Sequence, residues 1–491
     1  MSNALDVIGR CAAAAVLAVP LVTAAPALAE PSTLDWQPCR QVQEHWDPED
    51  GVSECVKVTV PLDHSRPHGR KIDLAVSRIK ATDPHKRRGV LLMNPGGPGN
   101  AGLGMPYTMR RTKLAELGTD HDLIGFDPRA TAASGGVECE ATPEDGPEPD
   151  PKASPEQQFR QDYERNARTN ARCIGYDRDL QTNLSTRAVA DDMDLIRAAL
   201  GERKISFFGI SWGTALGAVY RSHYDHRVDR MLLDSVMPAD FTLETMNLGA
   251  SAAKQANYEV LADWLAQRDE TVRLGSTPQA VTRSIGELAA KLDQVPVTVT
   301  PPGGKPRKYT GSHLRSMLTY KRAAWQQVAE SVVALRDGGV PPLTGDEPEL
   351  EGFGLTPVWY GGLLMQRAVV CNDQGRAPDV DEAWRQVQHR QEEYPFFRNG
   401  HGYGNWCAGW PLPATPWQLK RAASPLQLSG HRYETNTPLF FAEQMRHEIG
   451  GALLTVDDSA HGSLWAIDCA DKAVRFLRTG QTSNDACPGI S

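Results

Sequence analysis

Gly209-Ile210-Ser211-Trp212-Gly213 places a serine between two glycines, each two residues away. In that pattern the serine can occupy a sharp strand-to-helix turn, with backbone pressed close where a Cβ would not fit. Its Oγ then stands clear above the strand ends, and the following helix turns free N–H groups and a positive dipole end toward it. The chemistry served is acyl transfer by a nucleophilic serine. A serine hydroxyl is a poor nucleophile unless a base lies within hydrogen-bond reach. Of the 13 histidines, His461 has a context, in Asp457-Asp458-Ser459-Ala460-His461-Gly462 just past the last predicted strand. A Ser…acid…His chain order puts the base there. His431 is a weaker competitor.

The acid that orients the base should follow the preceding strand. That strand is predicted to end at Gly430, and the next loop, His431 to Pro438, holds one carboxylate, Glu434. Asp234, at the end of an earlier strand, is the alternative acid, because triad logic fixes the chemistry and not the strand. Asp457 and Asp458 read as solvated or turn carboxylates. Asn94-Pro95-Gly96-Gly97-Pro98-Gly99 also follows a predicted strand. With the N–H of Trp212, the N–H of Gly97 would make a two-donor oxyanion hole. A phosphate-binding loop is the rival reading, but neither G-K-[ST] nor G-x-G-x-x-G is present there.

These residues need a frame. Val56 to Val60 alternates like a half-buried strand, and Lys71–Ile79 reads as a second. Gly89–Met93, Asp122–Asp127, Lys204–Gly209, Arg230–Asp234, Pro425–Gly430 and Ala452–Asp457 read as strands, most of them short apolar runs of the buried kind. Helical spacing at Ala188–Leu200, after Ser211, at Phe440–Ile449 and at Ala466–Arg478 completes a βαβ rhythm. That rhythm implies an α/β fold with a mostly parallel central sheet. Residues 138–157 are acidic and Pro-rich, predicting an exposed loop. From 240 to 415 the pattern becomes helical with Pro/Gly-rich loops, with helices predicted at Asn257–Gln267 and His313–Arg336, as expected of an inserted, mainly helical cap. The organisation predicted is a signal peptide over 1–29, a core over 30–239, a cap over 240–415 and a returning core segment over 416–491.

The signal peptide reading rests on Arg10, the apolar run from Cys11 to Ala25, and Ala27-Leu28-Ala29 before Glu30. No later segment is long and apolar enough to cross a bilayer, so a secreted, soluble mature chain without stable membrane association is expected. Removing Cys11 leaves eight cysteines in sequential pairs: Cys39 and Cys55, Cys139 and Cys173, Cys371 and Cys407, Cys469 and Cys487. Neighbour pairing as disulfides is the expectation for an exported chain, though eight cysteines permit many connectivities. No C-x-x-C spacing suggests zinc, and no metal or cofactor is expected. The 491 residues carry a net charge of −9, which argues against nucleic acid as a partner. A monomer acting on a peptide or small ester is expected.

Together these motifs resemble the secreted tripeptidyl aminopeptidase and prolyl aminopeptidase-like α/β-hydrolases of actinomycetes, serine peptidases with a TAP-like C-terminal segment. The resemblance rests on Val90–Gly99, Asp122–Gly135, Gly209–Thr214, Cys371-Asn372-Asp373 and Pro425–Gly462. It implies an α/β-hydrolase fold, release of short peptides from free N-termini, and Asp373 as a candidate partner for the substrate amine. Two departures stand out. Glu434 falls where the family has Asp in Asp-Pro-x-Thr-Pro, and Pro128-Arg129-Ala130-Thr131-Ala132 stands where it has Pro-Arg-Gly-x-Gly. Three readings follow: a serine exopeptidase, a carboxylesterase or amidase using the same triad, and a non-catalytic binding protein on the same scaffold.

Overall fold

Two kinds of strand divide the sheet. β1 (Gln37–Pro38), β2 (Glu54–Pro61) and β3 (Lys71–Ile79) form its antiparallel edge. In β2, Val56, Val58 and Val60 are buried while Lys57 and Thr59 face solvent, the period-2 pattern of a sheet covered on one side. β4 (Val90–Asn94), β5 (Asp122–Phe126), β6 (Ile205–Ile210) and β7 (Val228–Asp234) are buried almost throughout. Their apolar runs let helices cover both faces, which a parallel arrangement requires. One face packs Phe207, Leu216, Val219, Leu233 and Phe441; the other packs Met93, Phe208, Leu232, Trp465 and Phe476.

The computed structural model describes residues 34–44, 46–136, 139–150, 152–300, 303–344 and 363–490. The predicted signal peptide over 1–29 lies outside them. After β7 the chain leaves the sheet for a mainly helical cap, which also holds a hairpin of β8 (Val297–Val299) and β9 (Arg307–Tyr309). It returns as β10 (Leu426–His431), β11 (Ala452–Asp457) and β12 (Ala486–Pro488). The sheet order is β1-β2-β3-β5-β4-β6-β7-β10-β11-β12, parallel from β5 onward. The carboxyl ends of β4, β6, β7, β10 and β11 therefore lie side by side, the position where open α/β sheets present their chemistry.

The cap has two kinds of packing. Tyr258, Leu261, Val281, Ile285, Leu314, Trp325, Val328 and Val332 build a core of its own. The helix Leu363–Asp373 instead sends Met365, Ala368, Val369 and Val370 into the main core. The single helix predicted over 313–336 is two, Gly311–Met317 and Trp325–Asp337. Between them the Thr319 hydroxyl bonds back to the Ser316 carbonyl, and the Trp325 indole takes the Tyr320 carbonyl. Such side-chain bonds compete with the helical ladder. The helix predicted from Asn257 starts earlier, at Leu243, capped by Thr242. The loop predicted over 138–157 gives way at Pro155 to a helix reaching Tyr176, whose Ser154 and Gln157 form a capping box. The closing helix spans Ala470–Thr479, after a 3₁₀ turn at Leu464–Ala466.

The eight cysteines meet as neighbours: Cys39 with Cys55, Cys139 with Cys173, Cys371 with Cys407, and Cys469 with Cys487, with Cα–Cα distances from 4.7 to 6.3 Å. Among the described residues no helix is long and apolar enough to cross a membrane.

Candidate active site

β6 ends at Ile210 and the helix Trp212–Tyr224 begins two residues later. Ser211, between them, has φ 58° and ψ −128°. A non-glycine residue held there costs on the order of 1 kcal/mol or more, so the surrounding structure must enforce it. It does. A Cβ on Gly209 would lie 2.3 Å from the Gly213 carbonyl oxygen, so the elbow closes only around glycine. The Ser211 N–H donates to the Asp234 carbonyl at the end of β7 (3.1 Å). From the β4 side, Gly96 has φ 95°, and a Cβ on it would lie 2.5 Å from the Ile210 carbonyl and 2.8 Å from the Ser211 Cβ. The Gly-rich loop thus comes into contact with the elbow, with Gly97 next in sequence. The Asn94 side chain fixes its start by accepting the Gly96 N–H (2.9 Å).

His461 lies on the loop after β11, and its Nδ1 donates to Glu434 Oε1 at 2.5 Å. Glu434 is 2% exposed and has no solvent to satisfy it. Instead, Oε1 also accepts the Thr437 N–H (3.0 Å) and hydroxyl (2.5 Å), while Oε2 accepts the Ser235 hydroxyl (2.9 Å). Ser235 in turn accepts the Gly462 N–H (2.7 Å). The residue after the sheet's Asp234 therefore links acid loop and base loop. Burial pulls the His461 pKa down, but the Glu434 carboxylate beside it more than offsets this and holds it above the ordinary imidazole value of 6.5. Ser235 and Thr437 escaped the sequence reading. Thr437 carries a signal, being the threonine three residues after a loop carboxylate, placed to donate back to it.

The alternatives from sequence sit together elsewhere. Asp234 Oδ1 bonds His431 Nε2 at 2.9 Å, and Asp458 Oδ1 bonds His431 Nδ1 at 2.7 Å. Both nitrogens of His431 are thus engaged, which leaves it none for a serine. Asp458, expected as a solvated carboxylate, is 3% exposed. Asp457 does face solvent and pairs with Arg432 (2.5 Å).

Asp373, the candidate partner for a substrate amine, has its oxygens engaged inside the protein. It ends the helix Leu363–Asp373, is 1% exposed, and accepts the Thr186 N–H (3.2 Å), the Thr186 hydroxyl (2.5 Å) and the Trp417 indole N–H (2.9 Å). Burial pushes its pKa up to about 7. The same Thr186 hydroxyl oxygen accepts the Trp212 indole N–H (2.9 Å), so Asp373 supports the ring beside the elbow from inside the protein. The cap reaches the site through its helix Leu243–Ala266. Asn257 donates to the Tyr433 carbonyl in the acid loop (2.7 Å), and Lys254 donates to the Gly400 carbonyl (2.8 Å). Next to Gly400, His401 stacks on Tyr403 at 4.3 Å. Burial, then the charges of Lys254 and His461, push the His401 pKa down to about 4.

Comparison with known proteins agrees with this architecture. Residues 89–330, which include Ser211, match the α/β hydrolase fold family, and residues 394–487, which include Glu434 and His461, match the TAP-like protein family. The chain is 29% identical over 475 residues to a tripeptidyl aminopeptidase of Streptomyces lividans, covering 93% of this chain and 87% of that one. It is 26% identical over 493 residues to the serine protease Hip1 of Mycobacterium tuberculosis, covering 94% and 91%. A carboxylesterase B of Mycobacterium tuberculosis is 28% identical over 455 residues, covering 89% and 86%. The chain has the α/β-hydrolase fold and is a serine hydrolase, similar over nearly its whole length to the tripeptidyl aminopeptidases and carrying a C-terminal segment that matches the TAP-like protein family.

Proposed function

We propose that the chain is a secreted serine exopeptidase that releases short peptides, tripeptides among them, from free N-termini. The observation that carries the reading is the Glu434–His461 pair on the loops beside the strained Ser211 elbow. Ser211 Oγ attacks the scissile carbonyl while His461 takes its proton. Glu434 holds the imidazole with Nδ1–H toward itself, leaving Nε2 as the base, and stabilises the imidazolium that forms. The N–H groups of Gly97 and Trp212 receive the oxyanion. His461 then gives its proton to the leaving amine, and water, activated by the same base, releases the acyl group from Ser211. Four disulfides and the absence of a membrane-crossing helix among the described residues support an extracellular setting.

A second reading, a carboxylesterase, has an observation in its favour. A free amine needs a desolvated carboxylate partner, and Asp373 has its oxygens engaged by Thr186 and Trp417. The test is turnover by the chain from Glu30 of a tripeptide p-nitroanilide with a free amine, beside its N-acetyl twin and a p-nitrophenyl ester, with Ser211→Ala as control. Turnover of the free-amine peptide alone is the expected result. Ester turnover without peptide turnover selects the carboxylesterase.

A further inference from the structure

Behind the Glu434–His461 pair lies a second cluster that no step of the reaction uses. His431 is fully buried at the end of β10, with Asp234 of β7 on Nε2 and Asp458, after β11, on Nδ1. A neutral imidazole has one N–H and would turn a lone pair toward one of the two carboxylates. Donation on both sides makes the ring an imidazolium. Burial opposes that charge, and Asp234 with Asp458 more than offsets it, holding the His431 pKa well above the ordinary value.

Asp458 accepts the Ile490 N–H (3.0 Å) from the C-terminal end, and the other bonds of the two carboxylates go to the loop that carries His461. Asp458 accepts the Ala460 N–H (3.2 Å) and the Ser463 hydroxyl (2.8 Å), and Asp234 accepts the Leu464 N–H (3.1 Å). These contacts bracket His461 on both sides. The Asp458 carbonyl also accepts the Tyr433 N–H (2.9 Å), next to Glu434. Three strand ends are thus joined through one ring.

We propose that His431 is a positioning residue: clamped between Asp234 and Asp458, it holds the Glu434 loop and the His461 loop in register and keeps a fixed positive charge behind them. This rests on Ser211, His461 and Glu434 being the working triad. The charged groups around His431 are Asp234, Asp458 and Glu434, with His461 beyond them. On the cap side of His461 stand the neutral His401 and Lys254. Glu434 and Asp234 push the His461 pKa up, while the His431 charge pulls it down. Without that charge, His461 would stay protonated to higher pH and be a base over a narrower range.

The test is fluorophosphonate labelling of Ser211 in the full chain as a function of pH, with ester hydrolysis in parallel. In His431→Gln the plateau rate should fall about tenfold or more as the loops lose register. Its acid limb should move up by roughly half to one pH unit. Asp458→Asn removes a negative charge but keeps an accepting oxygen on Nδ1 and the stronger partner Asp234 on Nε2, so His431 stays an imidazolium and the limb should move down. Opposite shifts are the signature of a charge; a loosened loop would not produce them. A folded His431→Gln with the wild-type labelling profile overturns the proposal, as do two limbs moving the same way. If His431→Gln does not fold, Asp458→Asn decides alone, a downward shift supporting the proposal and an unchanged limb overturning it. Wild-type chain that fails to label at Ser211 is a different result: the triad reading itself falls, and this inference with it.

Discussion

Two histidine–carboxylate clusters lie at the carboxyl ends of this protein's strands, and they are built from the same groups in opposite arrangements. The His461 side chain is 23% exposed and spends one nitrogen on Glu434. The His431 side chain is 0% exposed and spends both, on Asp234 and Asp458. Each carboxylate set is nearly or fully buried, so acid burial does not distinguish them. The difference is that His461 keeps Nε2 out of its carboxylate contact and is partly exposed. A histidine with one carboxylate can cycle a proton; a histidine between two is held as a cation and becomes a strut.

Removing the working members should break this contrast most visibly. Ser211→Ala or His461→Ala is expected to lower kcat by roughly 10⁴–10⁶-fold, measured on whichever substrate the wild type turns over. Next, Glu434→Gln should cost about 10²–10⁴-fold, because the amide cannot stabilise the imidazolium. Asp234→Asn, acting only through the strut, should cost about tenfold. Reversed magnitudes for these two would exchange the roles of the clusters and place the acid on β7.

The pH profile sharpens the same comparison. His461 accepts a proton only when neutral. Its pKa is raised above 6.5 by Glu434, so kcat/KM should rise with pH through an acid limb whose midpoint lies above 6.5. Below that limb the rate should drop about tenfold per pH unit. A midpoint below the ordinary imidazole value would mean that the Glu434 contact does not govern the base.

Sequence made much of this legible, for a physical reason. The elbow, the Gly-rich loop and the Glu434–His461 pair are local: each needs a strand end and a particular residue within a few positions. Counting from the predicted strands selects Glu434 and His461; β11 ends at the predicted Asp457, and β10 runs one residue past Gly430, to His431. What escaped is long-range. Asp458 follows β11 and looks like a turn carboxylate until His431, 27 residues away, is seen to cover it. Ser235 lies 199 and 227 residues from the two loops that it joins. Asp373 is separated by 187 residues from the Thr186 it supports. In the cap, apolar periodicity ran unbroken through the Thr319–Ala324 break, because the competing bonds come from Thr319 and Trp325 side chains that a periodicity does not weigh.

The smallest effect tests the strain that does not serve catalysis. Ser211 has φ 58°, enforced by its neighbours. Ala130 and Ala132 also lie in the left-handed region, at φ 56° and 37°, which favours glycine. A left-handed alanine costs about 1–2 kcal/mol, against roughly 0.5–1 kcal/mol for the extra freedom glycine loses on folding. At Ala132, which is partly exposed, strain relief should win, and Ala132→Gly should raise the melting temperature by about one degree. At Ala130, 2% exposed within the main core, glycine also forfeits a buried methyl worth about 0.8 kcal/mol. That cancels the gain, so Ala130→Gly should leave the melting temperature near its starting value. Neither change touches a histidine, so the acid limb of the rate should stay in place in both. A shifted limb would mean that the loop after β5 reaches the His461 environment, and the two clusters would no longer be the only charges that set it.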